Sequence, residues 1–160
     1  MSVQHRQDSI KSMRLAGMGI APPDWKNLDE VRVAKRLEMG VHATAAIHAG
    51  VEVGGKRYSL TEHDQTELMA QLKAVREGAP AVPYHADGEL CRMFTAEEFT
   101  AVATAAMQHI FFHRTYCNHI NGWIRRGKLA EVTAIHYGID LPKDLAERMA
   151  ELMQKAGDLF

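Results

Sequence analysis

The stretch from Thr95 to Arg126 constrains the fold more than any other part of this chain. It opens on Thr95-Ala96-Glu97-Glu98, a capping box. In such a box the threonine hydroxyl accepts from the third amide of the helix and the glutamate reaches back to the first. Apolar residues then recur at helical spacing until Gly127 breaks the run. One long helix is expected, and the remaining elements must pack on it.

On a helical wheel Phe99, Val102, Ala106, Ile110, Phe112, Ile120 and Ile124 share one broad face. His109 and His113 fall near its middle and Cys117 continues the row, while Phe111 projects the opposite way. Two histidines four apart can present nitrogens to one ion, and His85 from a preceding hairpin could join them. A zinc site at His85, His109 and His113 is therefore one reading. The other is a pair of neutral core histidines hydrogen-bonded inside the fold. Cys117 beside His113 also resembles a nucleophile and base. A helix interior, however, offers no free amides for an oxyanion hole and no helix N-terminus to acidify the thiol. No catalytic residues are expected, and no cofactor.

The preceding sequence alternates helices with short strands. Residues 28–49 have helical spacing, with Leu28, Val31, Leu37, Val41, Ala45 and Ile47 on a shared face, and Gly50 ends the run. Val51-Glu52-Val53 and Lys56-Arg57-Tyr58-Ser59-Leu60 flank Gly54-Gly55, the signature of a tight hairpin. Thr61 caps a helix running to about Glu77. A second hairpin is expected from residues 82–86 and 89–94 around Asp87-Gly88, with Pro83 marking an edge strand. After Gly127 come a short helix over 129–137 and a last helix near Pro142, whose stripe is Leu145, Met149, Leu152 and Ala156. The first 30 residues hold at most a short helix around residues 10–15 before Pro22-Pro23.

The fold class read from this pattern is α+β. Two short hairpins form one small antiparallel sheet packed on the long helix, with further N- and C-terminal helices. The expected division is an arm over residues 1–29, a core domain over 30–127 and a helical extension over 128–160. Trp25, Phe111, Leu145, Met149, Leu152 and Phe160 are the candidate contact residues.

Charge and composition narrow the function. The 160 residues carry 19 basic and 20 acidic side chains, a net charge of -1, so no electrostatic footprint for nucleic acid is present. No apolar run approaches the roughly 20 residues that span a bilayer, and the N-terminus has no secretory h-region. Neither a nucleic-acid nor a membrane partner is expected. Two cysteines fit a reducing cytoplasm rather than a disulfide framework.

Four segments together are familiar. They are Val51 to Leu60, Asp64-Gln65, Tyr84-His85-Ala86-Asp87-Gly88, and His113-Arg114-Thr115-Tyr116-Cys117-Asn118. Over roughly residues 30–126 the chain resembles a phage and prophage family of unknown function, family 4376 of the domains of unknown function. Its members are typically encoded near tail-fibre and other tail genes. The resemblance implies a virion structural protein of the tail apparatus: a tail, baseplate or fibre-associated adaptor. Such a protein would partner other tail or virion proteins, form a symmetric homo-oligomer, and reside in the virion after assembly in the host cytoplasm. The alternatives are a tail-fibre assembly chaperone that leaves the particle, and a metal-binding module or enzyme built on the histidine pair.

Overall fold

The computed structural model describes residues 2–159. Phe160, one of the candidate contact residues, lies outside them. The elements in chain order are α1 (Val3–Gly17), α2 (Leu28–His48), β1 (Val51–Val53), β2 (Lys56–Tyr58), α3 (Glu62–Arg76), β3 (Ala81–Tyr84), β4 (Arg92–Thr95), α4 (Ala96–Arg126), α5 (Leu129–Ala134) and α6 (Lys143–Gly157). The α+β class holds. Among the described residues no helix is long and apolar enough to cross a membrane.

Local chemistry explains most boundaries. At the start of α4, the Glu98 amide donates to Thr95 Oγ1 at 3.1 Å and the Thr95 amide donates to Glu98 Oε2 at 3.1 Å. The capping box is complete. Thr61 and Asp64 form the same reciprocal pair at the start of α3. Gly54 and Gly55, at φ +59 and +77, supply the two left-handed residues of a primed turn. The turn sets the β1–β2 register, with Val53 opposite Lys56. The N-terminal segment is more helical than expected: α1 covers 15 residues, with Ser2 as its cap.

The hairpins differ from expectation in two ways. They form two separate two-stranded sheets, not one. Strand β4 begins only at Arg92, paired with Tyr84, so residues 85–91 are a loop rather than a two-residue turn. Asp87 accounts for both. Its amide donates to Arg57 O at 2.9 Å, and its carboxylate accepts from the Ser59 amide at 2.9 Å. Asp87 thus occupies the outer edge of β2 as a single residue, where a paired strand would otherwise lie.

The chain divides into two compact units, Met1–Thr44 with Thr115–Leu152 and Ala45–Arg114 with Met153–Phe160. Residues 30–127 are therefore shared between the units.

In the first unit, Leu15, Ile20 and Ala34 form a small buried cluster with Met18 and Trp25 packed against it. The Trp25 indole donates to Ser12 Oγ at 2.9 Å, and Lys11 Nζ lies 5.4 Å from its ring centre. Trp25 thereby ties residues 18–25 back onto α1. Arg32 donates to Ile124 O at 3.2 Å and Gly127 O at 3.1 Å, satisfying carbonyls that the end of α4 leaves without helical partners. Tyr116 donates to Ile139 O at 2.6 Å and accepts from the Gly138 amide at 3.0 Å. Arg126 and Asp144 form a bidentate pair at 2.6 and 2.7 Å, which holds the Asp144 carboxyl down at about 2.

In the second unit the core joins Ile47, Leu60, Leu68, Leu72, Val82 and Phe99 to an aromatic group of Tyr58, Tyr84 and Phe94. Phe99 is edge-on to Tyr84 at 5.3 Å. Burial pushes the Tyr84 hydroxyl up to about 12.

Candidate functional site

The second unit carries a groove of about 560 Å³. Its polar lining is Glu52, Gln108 and His109, and its apolar lining includes Phe111, Phe112 and Met153. The imidazoles of His109 and His113 are 4.6 Å apart and inclined at 73°. His109 Nε2 is 2.7 Å from Ala46 O. A carbonyl can only accept, so Nε2 carries a proton. Of the two neutral tautomers only the Nε2–H form fits, and in that form Nδ1 can accept one hydrogen bond or give one ligand bond.

The wheel put both histidines in the middle of the apolar face. The structure puts them at its edge, each half-buried. Phe112, expected inside, is 44% exposed, and Phe111, expected outside, is half-buried. The apolar seam turns around α4 along its length, so a single wheel for all 31 residues misassigns its middle.

His85 is exposed, stacked on Tyr84 at 6.0 Å, with Nδ1 3.0 Å from Ala86 O. Among the described residues no three histidines, cysteines or carboxylates converge on a point that could hold a metal ion. Burial pushes the Cys117 thiol up, which disfavours the thiolate, and Asn121 Nδ2 lies 3.8 Å from its sulfur.

Two predictions arise here. His109→Ala should lower stability by about 1–3 kcal/mol, because the Ala46 carbonyl loses its donor and a void replaces the ring. A melting temperature equal to wild type would show that the bond adds nothing. The second concerns pH. The His113 imidazole lies below its ordinary value of 6.5, first through burial and second through the charge of His109. The folded chain then takes up a proton less readily than the unfolded chain. Stability present above the unfolded value is lost as pH falls through it toward the folded one. The urea midpoint should fall between about pH 7.5 and about pH 5.5, and His113→Gln should reduce that fall. The same fall in both proteins would exclude His113 as its source.

A different surface was not legible in advance. Helix α2 presents Val33, Leu37 and Val41 to solvent at 58%, 53% and 40% exposure. The sequence reading put Leu37 and Val41 on the buried face. The residues buried there are Val31, Ala34, Met39, Ala43 and Ile47, together with the charged Lys35 and Glu38. The helix thus turns two charges inward and three large aliphatics outward. The exposed three are four residues apart and form one stripe. Beside the stripe runs a groove of about 390 Å³, lined by Ala21, Pro22, Pro23, Asp29, Glu30, Val33, Ala34 and Leu37.

Among the candidate contact residues, Leu145 and Met149 are corrected: both are buried, at 8% exposure. Their spacing marked an apolar stripe but not which stripe of α6 the fold covers. Leu152 is 45% exposed, and Trp25 is half-buried in its contact with α1.

The sequence model of a domain of unknown function, DUF4376, matches residues 30–122. The chain belongs to that family. The DUF4376 match covers nearly all of α2 through most of α4, and so includes His109, His113 and the exposed stripe. No curated protein and no solved structure matches the chain.

Proposed function

We propose that this DUF4376 protein is a non-catalytic assembly protein of the bacteriophage tail apparatus, an adaptor in the tail, baseplate or fibre attachment. The observation that carries the assembly role is the stripe Val33, Leu37 and Val41. Single exposed aliphatics are ordinary, but three in line beside an apolar groove form a continuous patch of the kind that marks a protein interface. The tail assignment comes from the resemblance carried by residues 51–60, 84–88 and 113–118. The protein acts through contacts with other virion proteins and with copies of itself, without a cofactor. It is made in the host cytoplasm and retained in the particle.

Mass spectrometry of purified virions tests this. The expected result is the chain at a fixed copy number in intact particles. Its presence in infected-cell lysate but absence from virions would sink the structural role and leave an assembly chaperone.

A further inference from the structure

The groove beside α2 and the charges around it specify what covers them. Asp29 and Arg36 are seven residues apart, two helical turns, and so project from the same flank of the stripe. The Asp29 side chain is 93% exposed, and its one ion pair among the described residues is with Arg32, at 3.5 Å. Arg36 is exposed and has no ion-pair partner among the described residues. An acidic and a basic group thus stand at the two ends of one helical flank, equally spaced about a point next to Val33.

We propose that the occupant is a second copy of this chain, with the two α2 helices packed antiparallel about a two-fold axis at Val33. This deepens the assembly reading and rests on the same stripe. Antiparallel pairing sets Asp29 of each copy beside Arg36 of the other, twice. Parallel pairing would set Asp29 against Asp29 and Arg36 against Arg36. Isologous contacts require a self-complementary patch, and this flank is self-complementary only when reversed.

The apolar residues agree with the same register. Val33 lies on the axis and meets its own copy. Leu37 projects from the opposite flank to Arg36, the flank that carries Glu30 and Ala34. Reversed on the partner, Leu37 comes over the groove formed by Pro22, Pro23 and Glu30, which is open and apolar enough to receive it. Each copy therefore supplies a knob and a groove. The stripe is covered, and each exposed charge gains an opposite one at the rim, where ion pairs set register and partner choice more than raw affinity.

Sedimentation velocity over a concentration series, with folding followed by circular dichroism, tests the proposal. Wild type should show a monomer–dimer equilibrium. Leu37→Glu should abolish the dimer while leaving the helical signal intact, since the side chain is exposed in the monomer. Asp29→Arg and Arg36→Asp should each weaken the dimer about tenfold or more, and the double swap should restore it to within about threefold. A wild type monomeric throughout, or a dimer that survives Leu37→Glu, would overturn the interface. Loss with Leu37→Glu but indifference to both charge swaps would overturn the antiparallel register. A monomeric result leaves the virion measurement untouched, so the dimer and the tail role can fail separately.

Discussion

Gly50→Ala is expected to destabilise the second unit more than any other single methyl addition in the chain. Gly50 has φ +78, where an L side chain costs roughly 1–2 kcal/mol. The added Cβ would also stand 1.9 Å from Tyr58 O and 2.8 Å from the Ser59 Cα, both backbone atoms that no rotamer change can move. Relief requires β2 to shift. Tyr58 sits at the end of β2, 5% exposed and stacked on Tyr84 at 6.2 Å, so the shift is felt through the aromatic core. The combined loss should be about 3–5 kcal/mol, a drop of roughly 10 °C in the thermal midpoint for a chain of this size. Gly54→Ala is the control. It has the same class of backbone angle, φ +59, with no atom within 4 Å of the new Cβ. It should cost only about 1–2 kcal/mol. Midpoints for the two variants within experimental error of each other would show that contact with β2 does not govern the site.

The second large effect is expected at the buried ion pair of α2. Lys35 Nζ lies 3.1 Å from Glu38 Oε2, and the side chains are 7% and 8% exposed. The two are not equally supported. Lys35 also donates to Ile135 O at 2.6 Å, whereas Glu38 Oε2 is buried without a hydrogen bond and is held by charge alone. Lys35→Met should therefore cost about 3–5 kcal/mol, because it leaves an uncompensated carboxylate inside the unit. Glu38→Leu should cost less, since Lys35 keeps its carbonyl. The double variant Lys35→Met with Glu38→Leu should recover most of the loss, as apolar pairs of similar volume often replace buried ion pairs without penalty. Urea unfolding of the four proteins measures this as a double-mutant cycle. Additive losses, with no recovery in the double variant, would show that the two charges do not depend on one another.

These two sites mark where sequence reading succeeds and where it stops. The capping boxes at Thr61 and Thr95, the Gly54-Gly55 turn and the end of α4 at Gly127 were legible, because each depends on groups within a few residues of one another. Gly50 was legible as a helix stop. Its contact with Tyr58 was not, because that contact exists only once β2 has folded back. The second hairpin was misread for the same reason. Asp87-Gly88 has the composition of a tight turn, but Asp87 bonds Arg57 and Ser59 about 30 residues earlier, and the turn opens into a loop.

The histidine pair and α2 show the limit more sharply. Periodicity identified amphipathic helices, since the 3.6-residue repeat is local. It did not identify which apolar face is covered, because α2 has aliphatic residues on both sides. An isolated wheel gives Leu37 and Val41 the same claim to burial as Val31 and Met39. The choice was made by Arg32 and Lys35, whose long side chains reach carbonyls at Ile124, Gly127 and Ile135, about 90 to 100 residues away. Those bonds turn the charged side inward and leave Val33, Leu37 and Val41 in water. The sequence by itself thus determined the helices that follow α1, the caps at Thr61 and Thr95, the first turn and the absence of a strong net charge, all properties of neighbours in the chain. Tertiary structure alone decided which face each helix buries, because that depends on polar partners that only folding brings within reach. The exposed stripe on which the assembly reading rests follows from that choice.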